Sequence, residues 1–168
     1  MSLTICGRCW KFGDNVNTDM VFPQRHSHIT DPNEIAKHAM EGYDPEFSKK
    51  VGQGDIIVAG KNFGCGSSME HAPIALKSVG IAAIIAESFA RIFYRNAISL
   101  GLPVIESQDI FEEVTQGDIL EISLIDGRVE NLTTHSIYRI KPIPKFLIDI
   151  LKNGGLVPHL INKFSLCH

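Results

Sequence analysis

The chain has 168 residues, of which 44% are hydrophobic and 21% charged, and this length predicts one domain, residues 1–168, with a sizeable core. A formal net charge of -3 gives no electrostatic basis for binding nucleic acid or an anionic membrane. The longest apolar run, residues 81–86, is too short to cross a bilayer, and Trp10 and Lys11 interrupt any signal-peptide pattern, so a cytoplasmic enzyme or enzyme subunit is expected.

The first predicted element is a strand over residues 3–12, which ends at the turn signal Gly13-Asp14-Asn15. Cys6 and Cys9 lie inside it at the C-x-x-C spacing of redox and metal sites. A redox pair normally follows a strand, and a zinc site needs a second close pair, whereas the other cysteines are isolated at 65 and 167. The pair is therefore interpreted as small apolar side chains, and no disulfide framework is expected.

Residues 16–28 have no clean periodicity and include His26 and His28, which would share one face of an extended segment. Two histidines on one face are typical metal ligands, but no acidic or thiol partner has an obvious spacing. Exposed loop histidines are the preferred interpretation, with substrate contact and a metal site as alternatives. A capping box formed by Asp31, Pro32 and Glu34 then predicts a helix that runs to about residue 40.

Apolar runs alternate with helical stripes between residues 55 and 106. Strands are predicted at 55–59, 81–86 and 102–106, and helices at 72–79 and 88–100, the second capped by Ser88. Such a β-α-β-α-β unit implies parallel strands with right-handed crossovers. The final third differs in character. It predicts a hairpin with a type I′ turn between strands at 117–124 and 128–133, a further strand at 138–141 and a last helix at 145–152.

A glycine-rich turn joins the first strand of that unit to its first helix: Gly60-Lys61-Asn62-Phe63-Gly64-Cys65-Gly66-Ser67-Ser68-Met69-Glu70-His71. Glycines permit positive φ and close approach to the backbone, and a helix start presents free amides, so an anion site with adjacent hydroxyls is predicted. The turn lacks the Lys-[ST] step of a P-loop, the third glycine of a dinucleotide fingerprint and the second glycine of a nucleophile elbow. A serine at a helix N-terminus, near bound negative charge, remains.

Three segments together resemble the small subunit of 3-isopropylmalate dehydratase and its homoaconitase relatives, in the aconitase superfamily. They are Gly7-Arg8-x-Trp10-Lys11-Phe12-Gly13-Asp14-Asn15-x-x-Thr18-Asp19, Gly60 to Ala72, and Ala86-Glu87-Ser88-Phe89-Ala90-Arg91-Ile92-Phe93-Tyr94-Arg95-Asn96. The resemblance covers essentially the whole chain. It implies an α/β fold, the swivelling β/β/α domain with a partly open mixed β-barrel flanked by helices. It also implies a partner, the large subunit that carries a [4Fe–4S] cluster.

The chemistry implied is the isomerisation of a 2-hydroxy di- or tricarboxylic acid by dehydration and rehydration, in a hydro-lyase active only with its large subunit. Ser67 matches the family's base, a serine alkoxide, while Gly66 and Ser68 contact substrate, Ser68 also being a candidate helix cap. Arg25 matches an arginine that holds a substrate carboxylate. An iron–sulfur cluster needs at least three thiolate ligands, and the cysteines of this chain are scattered. This independently indicates that the cluster is bound by the partner and that this chain contributes no metal ligand.

Two departures from the family pattern concern the substrate. The usual Gly-Ser-Ser-Arg-Glu-His motif has an arginine where this chain has Met69, which cannot form a charge-assisted bidentate contact. After Arg25, relatives carry residues that discriminate the substrate's side group, and here this specificity segment reads His26-Ser27-His28-Ile29. It is neither the apolar nor the arginine version, so a smaller or more polar side group is inferred.

The main interpretation is 3-isopropylmalate dehydratase, of leucine biosynthesis. The alternatives within this chemistry are a homoaconitase and a dehydratase of another substituted malate. Two further alternatives come from different classes: a non-catalytic anion-binding or regulatory module, and a metal-binding protein that uses His26, His28 or the Cys6/Cys9 pair.

Overall fold

The computed structural model describes residues 3–166, in which the strands form one mixed sheet. The strands are β1 (Thr4–Lys11), β2 (Ile56–Ala59), β3 (Ala83–Ala86), β4 (Val104–Glu106), β5 (Ile119–Ser123), β6 (Arg128–Asn131) and β7 (Ser136–Arg139). Their order is β4-β3-β2-β1-β5-β6-β7. The first four pair in parallel, and β5, β6 and β7 continue antiparallel from β1. This curled half-barrel flanked by helices confirms the predicted α/β class.

Helices cover the sheet and fill its connections. They are α1 (Thr18–Val21), α2 (Pro32–Ala36), α3 (Phe47–Lys50), α4 (His71–Val79), α5 (Arg91–Ser99), α6 (Gln108–Glu113), α7 (Lys145–Lys152) and α8 (Leu156–Ser165), with a 3-10 helix at Gln24–His26. Within residues 3–166, none of them has the length and apolarity required to cross a bilayer. Cys167, one of the isolated cysteines, lies outside the described residues.

The core is most continuous at β2 and β3, because both faces of these two strands are covered. β2 and β3 read Ile-Ile-Val-Ala and Ala-Ile-Ile-Ala, and every one of these residues is buried. Such continuous apolar runs are typical of parallel strands packed on two sides. β5 instead alternates between buried and more exposed positions, as expected of a strand with only one covered face.

Most predicted elements are confirmed. The β-α-β-α-β unit pairs in parallel as β2, β3 and β4. Gly80 ends α4 in the left-handed region, with φ 112°, and Gly101 follows the C-cap of α5 with φ 79°. The predicted hairpin is β5 and β6, with Ser123 opposite Arg128.

Three local predictions are wrong. The helix begun by Asp31 ends at Ala36, where the backbone bonds change to three-residue turns, His38 N to Ile35 O and Ala39 N to Ala36 O. The chain direction then changes at Met40, which has φ 56°. Asp31 does cap it, accepting from Asn33 N, but the Glu34 carboxylate binds Lys37 Nζ rather than completing a capping box. The hairpin connection spans residues 124–127 and only Gly127 has positive φ there, so it is not the two-residue type I′ turn.

Three further corrections concern the helices. Ser88 does not cap α5, since Ala90 occupies the N-cap and Ser88 Oγ accepts a hydrogen bond from Asn62 N. Ile92 of the predicted apolar stripe is 51% exposed. α7 is not the last helix, because α8 begins at Leu156, directly after Gly154 and Gly155.

Candidate active site

The glycine-rich turn lies alongside the segment that follows β1. Backbone hydrogen bonds join Asn15 N to Lys61 O at 2.8 Å, Gly64 N to Val16 O at 2.7 Å and Thr18 N to Cys65 O at 2.8 Å. The turn therefore continues the parallel arrangement of β1 and β2 beyond the end of both strands. Two of the three segments that carry the family resemblance are held side by side in this way. The hydroxyl groups of Thr18 and Ser67, one in each segment, are therefore brought together.

Two of the predicted glycines are needed for the path of this turn. Gly64 has φ 79°, and a Cβ there would lie 2.2 Å from Cγ of Phe93. Gly66 has φ 107° and lies against the Thr18 side chain, 3.1 Å from the position of a Cβ to Thr18 Oγ1. A side chain at either residue would combine a strained backbone with a steric conflict.

Ser67 is in contact with a buried threonine. Its Oγ lies 3.1 Å from Thr18 Oγ1, and its backbone N–H donates to that same oxygen at 3.1 Å. Thr18 is 3% exposed, whereas Ser67 faces solvent. Besides accepting from Ser67 N, the Thr18 hydroxyl has one hydrogen to donate, so either oxygen can be the donor between Thr18 Oγ1 and neutral Ser67 Oγ. A deprotonated serine oxygen can only accept. Thr18 can therefore donate to Ser67 in the alkoxide form.

Ser68 does not cap the helix. The N-cap of α4 is Glu70, which makes no side-chain capping bond, so the predicted capping role of Ser68 is wrong. The Ser68 side chain is exposed and its carbonyl accepts from Asn96 Nδ2 at 3.4 Å. Ser67 precedes the N-cap by three residues. It lies just before the helix start rather than at it.

Arg25 is in a cluster of polar side chains around Glu41. Arg25 Nη2 and His26 Nε2 donate to Oε1 of Glu41, the second at 3.2 Å, and His38 Nδ1 donates to Oε2. The rings of His26 and His38 stack with centroids 3.8 Å apart and planes 20° apart. Arg25 and His26 come from the 3-10 helix, while His38 and Glu41 come from the turns after α2.

The Glu41 carboxylate is strongly stabilised in its ionised form. Partial burial opposes ionisation, but the hydrogen bonds from His38, His26 and Arg25 outweigh it and lower the pKa of Glu41 from 4.5 to about 2. The carboxylate is therefore charged throughout the neutral range, and it offers a fixed negative partner to the Arg25 guanidinium.

His71 connects the specificity segment to the serine motif. Its Nε2 lies 2.9 Å from the carbonyl oxygen of Ile29, so this nitrogen carries the hydrogen. The His71 ring stacks on buried Phe22, with centroids 5.3 Å apart and planes 16° apart. The last residue of the Gly-Ser-Ser-Met-Glu-His motif thus holds the last residue of the specificity segment.

The predicted site residues are only partly brought together. In the described part of the chain no hydrogen bond joins Arg25 to Ser67, and the two segments meet through Thr18 and His71 instead. In the specificity segment, His26 is half-buried in the Glu41 cluster, Ser27 and His28 are exposed, and Ile29 packs on the core.

Sequence reasoning assigned no role to Thr18, His38 or Glu41. The signals were present: Thr18 belongs to a recognised segment, and His38 and Glu41 have an i, i+3 spacing. Because the sequence predicted a continuous helix to residue 40, it gave no indication of the turn that brings His38 and Glu41 to Arg25.

The cysteines do not assemble a metal site in residues 3–166. Cys6, Cys9 and Cys65 are all free thiols, exposed, buried and half-buried respectively. Burial, with a smaller contribution from Asp118, raises the pKa of Cys9 to about 12, so this thiol stays protonated. The only grouping of potential metal ligands among the described residues is His26, His38 and Glu41, within 4.8 Å of one another.

A separate groove of about 700 Å³ lies beside β4, and its lining does not include Ser67 or Arg25. Arg91 and Arg95 of α5 contribute to it, with Lys141 opposite. It is therefore not part of the serine site.

Comparison with known proteins identifies close relatives. Residues 12–109 match the family described as "Aconitase C-terminal domain". The chain is 54% identical over 165 residues to the isopropylmalate/citramalate isomerase small subunit of Methanocaldococcus jannaschii, covering 98% of each. It is 55% identical over 157 residues to the methanogen homoaconitase small subunit of Methanothermobacter thermautotrophicus, covering 94% of this chain and 91% of that one. The crystal structure of 3-isopropylmalate dehydratase from M. jannaschii matches with a TM-score of 0.92 at 46% identity, covering 98% and 97% of the two chains.

Proposed function

The chain belongs to the aconitase C-terminal domain family, and we propose that it is the small subunit of a heteromeric hydro-lyase acting on a 2-hydroxy di- or tricarboxylic acid. The reaction is an isomerisation by dehydration and rehydration, with 3-isopropylmalate as the main candidate substrate. The single observation that carries the proposal is the pairing of exposed Ser67 with buried Thr18, in a chain that matches dehydratase small subunits over nearly its whole length.

Ser67 is proposed as the base that removes a proton from the carbon next to a carboxylate. A serine alkoxide is too costly at neutral pH unless preorganised donors surround its oxygen. The Thr18 hydroxyl can supply one such donor, since its Oγ1 lies 3.1 Å from Ser67 Oγ. The exposure of Ser67 leaves its oxygen accessible to substrate from the solvent side.

Arg25 is proposed to hold a substrate carboxylate. Its side chain is 65% exposed, and Glu41 accepts from only one of its terminal nitrogens, so the other guanidinium N–H groups face outward. Gly66 and Ser68 are proposed as further substrate contacts, because both are exposed on the same turn as Ser67. Met69 is partly buried against the core and offers no charge in place of the family's arginine.

The iron–sulfur cluster of the family does not fit the described residues of this chain. Its ligation needs at least three thiolates, and residues 3–166 bring no three cysteines together. We therefore propose that a large subunit binds the cluster, which would supply Lewis-acid chemistry from that subunit. The free thiols suit the reducing conditions of the cytoplasm, the proposed location.

The alternative substrates are homoaconitate and another substituted malate. The homoaconitase small subunit of M. thermautotrophicus is as similar to this chain as the isopropylmalate/citramalate one of M. jannaschii, so overall identity does not separate them. Because His26 is bound to Glu41 and Ile29 packs on the core, Ser27 and His28 are the side chains available to contact the substrate's side group.

Co-expression with a large subunit, anaerobic cluster reconstitution and a panel of 2-hydroxy acids test this proposal. The complex should isomerise at least one substituted malate or homologous tricarboxylate, and the chain alone should turn over none. Turnover by the chain alone, or a reconstituted complex that is inactive on the whole panel, would contradict it.

A further inference from the structure

The Glu41 cluster has an unequal distribution of exposure that indicates which of its members is fixed. The Glu41 side chain is 20% exposed, whereas that of Arg25 is 65% exposed. Glu41 also lies in a tight turn, in which its N–H donates to His38 O. The adjacent Gly42 packs so closely on the Met20 backbone that a Cβ would lie 2.7 Å from Met20 Cα. The carboxylate is therefore anchored, and the arginine extends from it into solvent.

We propose that Glu41, held by His26 and His38, is a positioning residue that orients the Arg25 guanidinium for a substrate carboxylate. This inference rests on the proposed function, since it assigns a role through Arg25. Glu41 accepts from Nη2, which ties one end of the guanidinium to an anchored oxygen and leaves its remaining N–H groups for a bidentate contact.

In an alternative arrangement, Glu41 would occupy the position of the substrate carboxylate on Arg25 and leave when substrate binds. The contacts of Glu41 fit this alternative less well. To leave Arg25, the carboxylate would have to break the hydrogen bonds from both His26 and His38. Both of those partners are themselves held in place, because their rings stack on each other and pack edge-on against Phe22. Glu41 is consequently the rigid member of the pair.

Metal binding by His26, His38 and Glu41 is also disfavoured by the geometry. Imidazole binds a metal in the plane of its ring, and two rings stacked 3.8 Å apart at 20° have separate, nearly parallel planes, so one ion cannot lie close to both rings and in the plane of each. The positive charge of Arg25 on the same carboxylate oxygen further opposes a cation there.

The test uses the reconstituted complex with Glu41→Gln, which keeps the side-chain size and removes the charge. Steady-state KM should rise about 10- to 100-fold with a much smaller change in kcat, since the carboxylate contact exists in ground and transition states alike. In an Arg25→Ala background the additional effect of Glu41→Gln should disappear, because Glu41 acts through Arg25. Glu34→Gln, which removes an exposed ion pair with Lys37, is the matched control and should leave both constants unchanged.

Additive effects of Glu41→Gln and Arg25→Ala would overturn the inference, and a lower KM in Glu41→Gln would show instead that Glu41 competes with substrate. Addition of Zn²⁺ to the isolated wild-type chain should give no stoichiometric binding. One bound equivalent that is lost in Glu41→Gln would also overturn the inference, in favour of a metal site.

An active complex with additive effects refutes only the positioning role, whereas an inactive wild-type complex refutes the proposed function. In that second case, a ¹³C titration of the isolated chain reports the contact: the Glu41 carboxyl should titrate at higher pH in Arg25→Ala than in wild type, and an unchanged midpoint refutes the contact.

Discussion

Thr18 Oγ1 lies 3.1 Å from Ser67 Oγ and accepts the backbone N–H of the same serine at 3.1 Å. The two residues are 49 positions apart in the chain, and they meet because the turns after β1 and β2 run side by side. A buried hydroxyl thus supports an exposed one. This relationship gives Ser67 a defined position, and it places beside Ser67 Oγ a hydroxyl that can donate to it, before any substrate or partner is bound.

Replacement of Thr18 by valine should lower kcat of the reconstituted complex by about 10- to 100-fold, because a hydrogen bond to a charged oxygen contributes about 1.5–3 kcal/mol. Valine retains the shape of threonine, so the complex should still assemble. Thr18→Ser keeps the hydroxyl and is the matched control, with kcat expected near that of wild type. Equal activity of Thr18→Val and wild type would remove Thr18 from the account.

Alanine at Gly64 should destabilise the chain by about 3 kcal/mol, combining the cost of a left-handed residue with overpacking against Phe93. Urea unfolding followed by circular dichroism measures the change in the free energy of unfolding. Gly117→Ala provides the control, since Gly117 also has positive φ, at 92°, but a Cβ there would meet nothing within 4 Å. Equal losses in the two variants would show that the contact with Phe93 is not important.

The pH dependence of stability should reflect Glu41. Because its pKa is lowered from 4.5 to about 2 in the folded chain, the ionised carboxylate contributes its full stabilisation above about pH 4.5. That contribution should be lost progressively as the pH falls toward about 2. Comparison of wild type with Glu41→Gln by urea unfolding across this range should show a gap that narrows in acid. A gap that widened as the pH fell would contradict the sign of this effect.

His28 and His26 should affect substrate use differently. His28→Ala should change the ratio of kcat/KM between 3-isopropylmalate and a smaller substituted malate, because the exposed imidazole is free to contact the side group. His26→Ala should lower kcat/KM for all substrates in similar proportion, since His26 contacts Glu41 and not the substrate's side group. The panel of 2-hydroxy acids used for the reconstituted complex measures both. A His28→Ala complex with an unchanged substrate ratio would exclude His28 from specificity.

The regular elements and the serine motif were predictable because they depend on local signals. Continuous apolar runs indicated β2 and β3, and helical stripes indicated α4 and α5. What escaped prediction depends on tertiary contact. The i, i+3 spacing of His38 and Glu41 does not reveal that Met40 adopts positive φ, or that the resulting turn carries Glu41 to Arg25. The contact between Thr18 and Ser67 likewise requires the parallel register of β1 and β2.

The central claim is that Ser67 is the base of the reaction. Loss of a positioned general base costs about 10²- to 10⁴-fold in rate. In the reconstituted complex, Ser67→Ala should therefore reduce kcat by at least about 100-fold, while co-purification with the large subunit and the cluster spectrum remain those of wild type. A Ser67→Ala complex that assembles and turns over substrate at the wild-type rate would contradict the account.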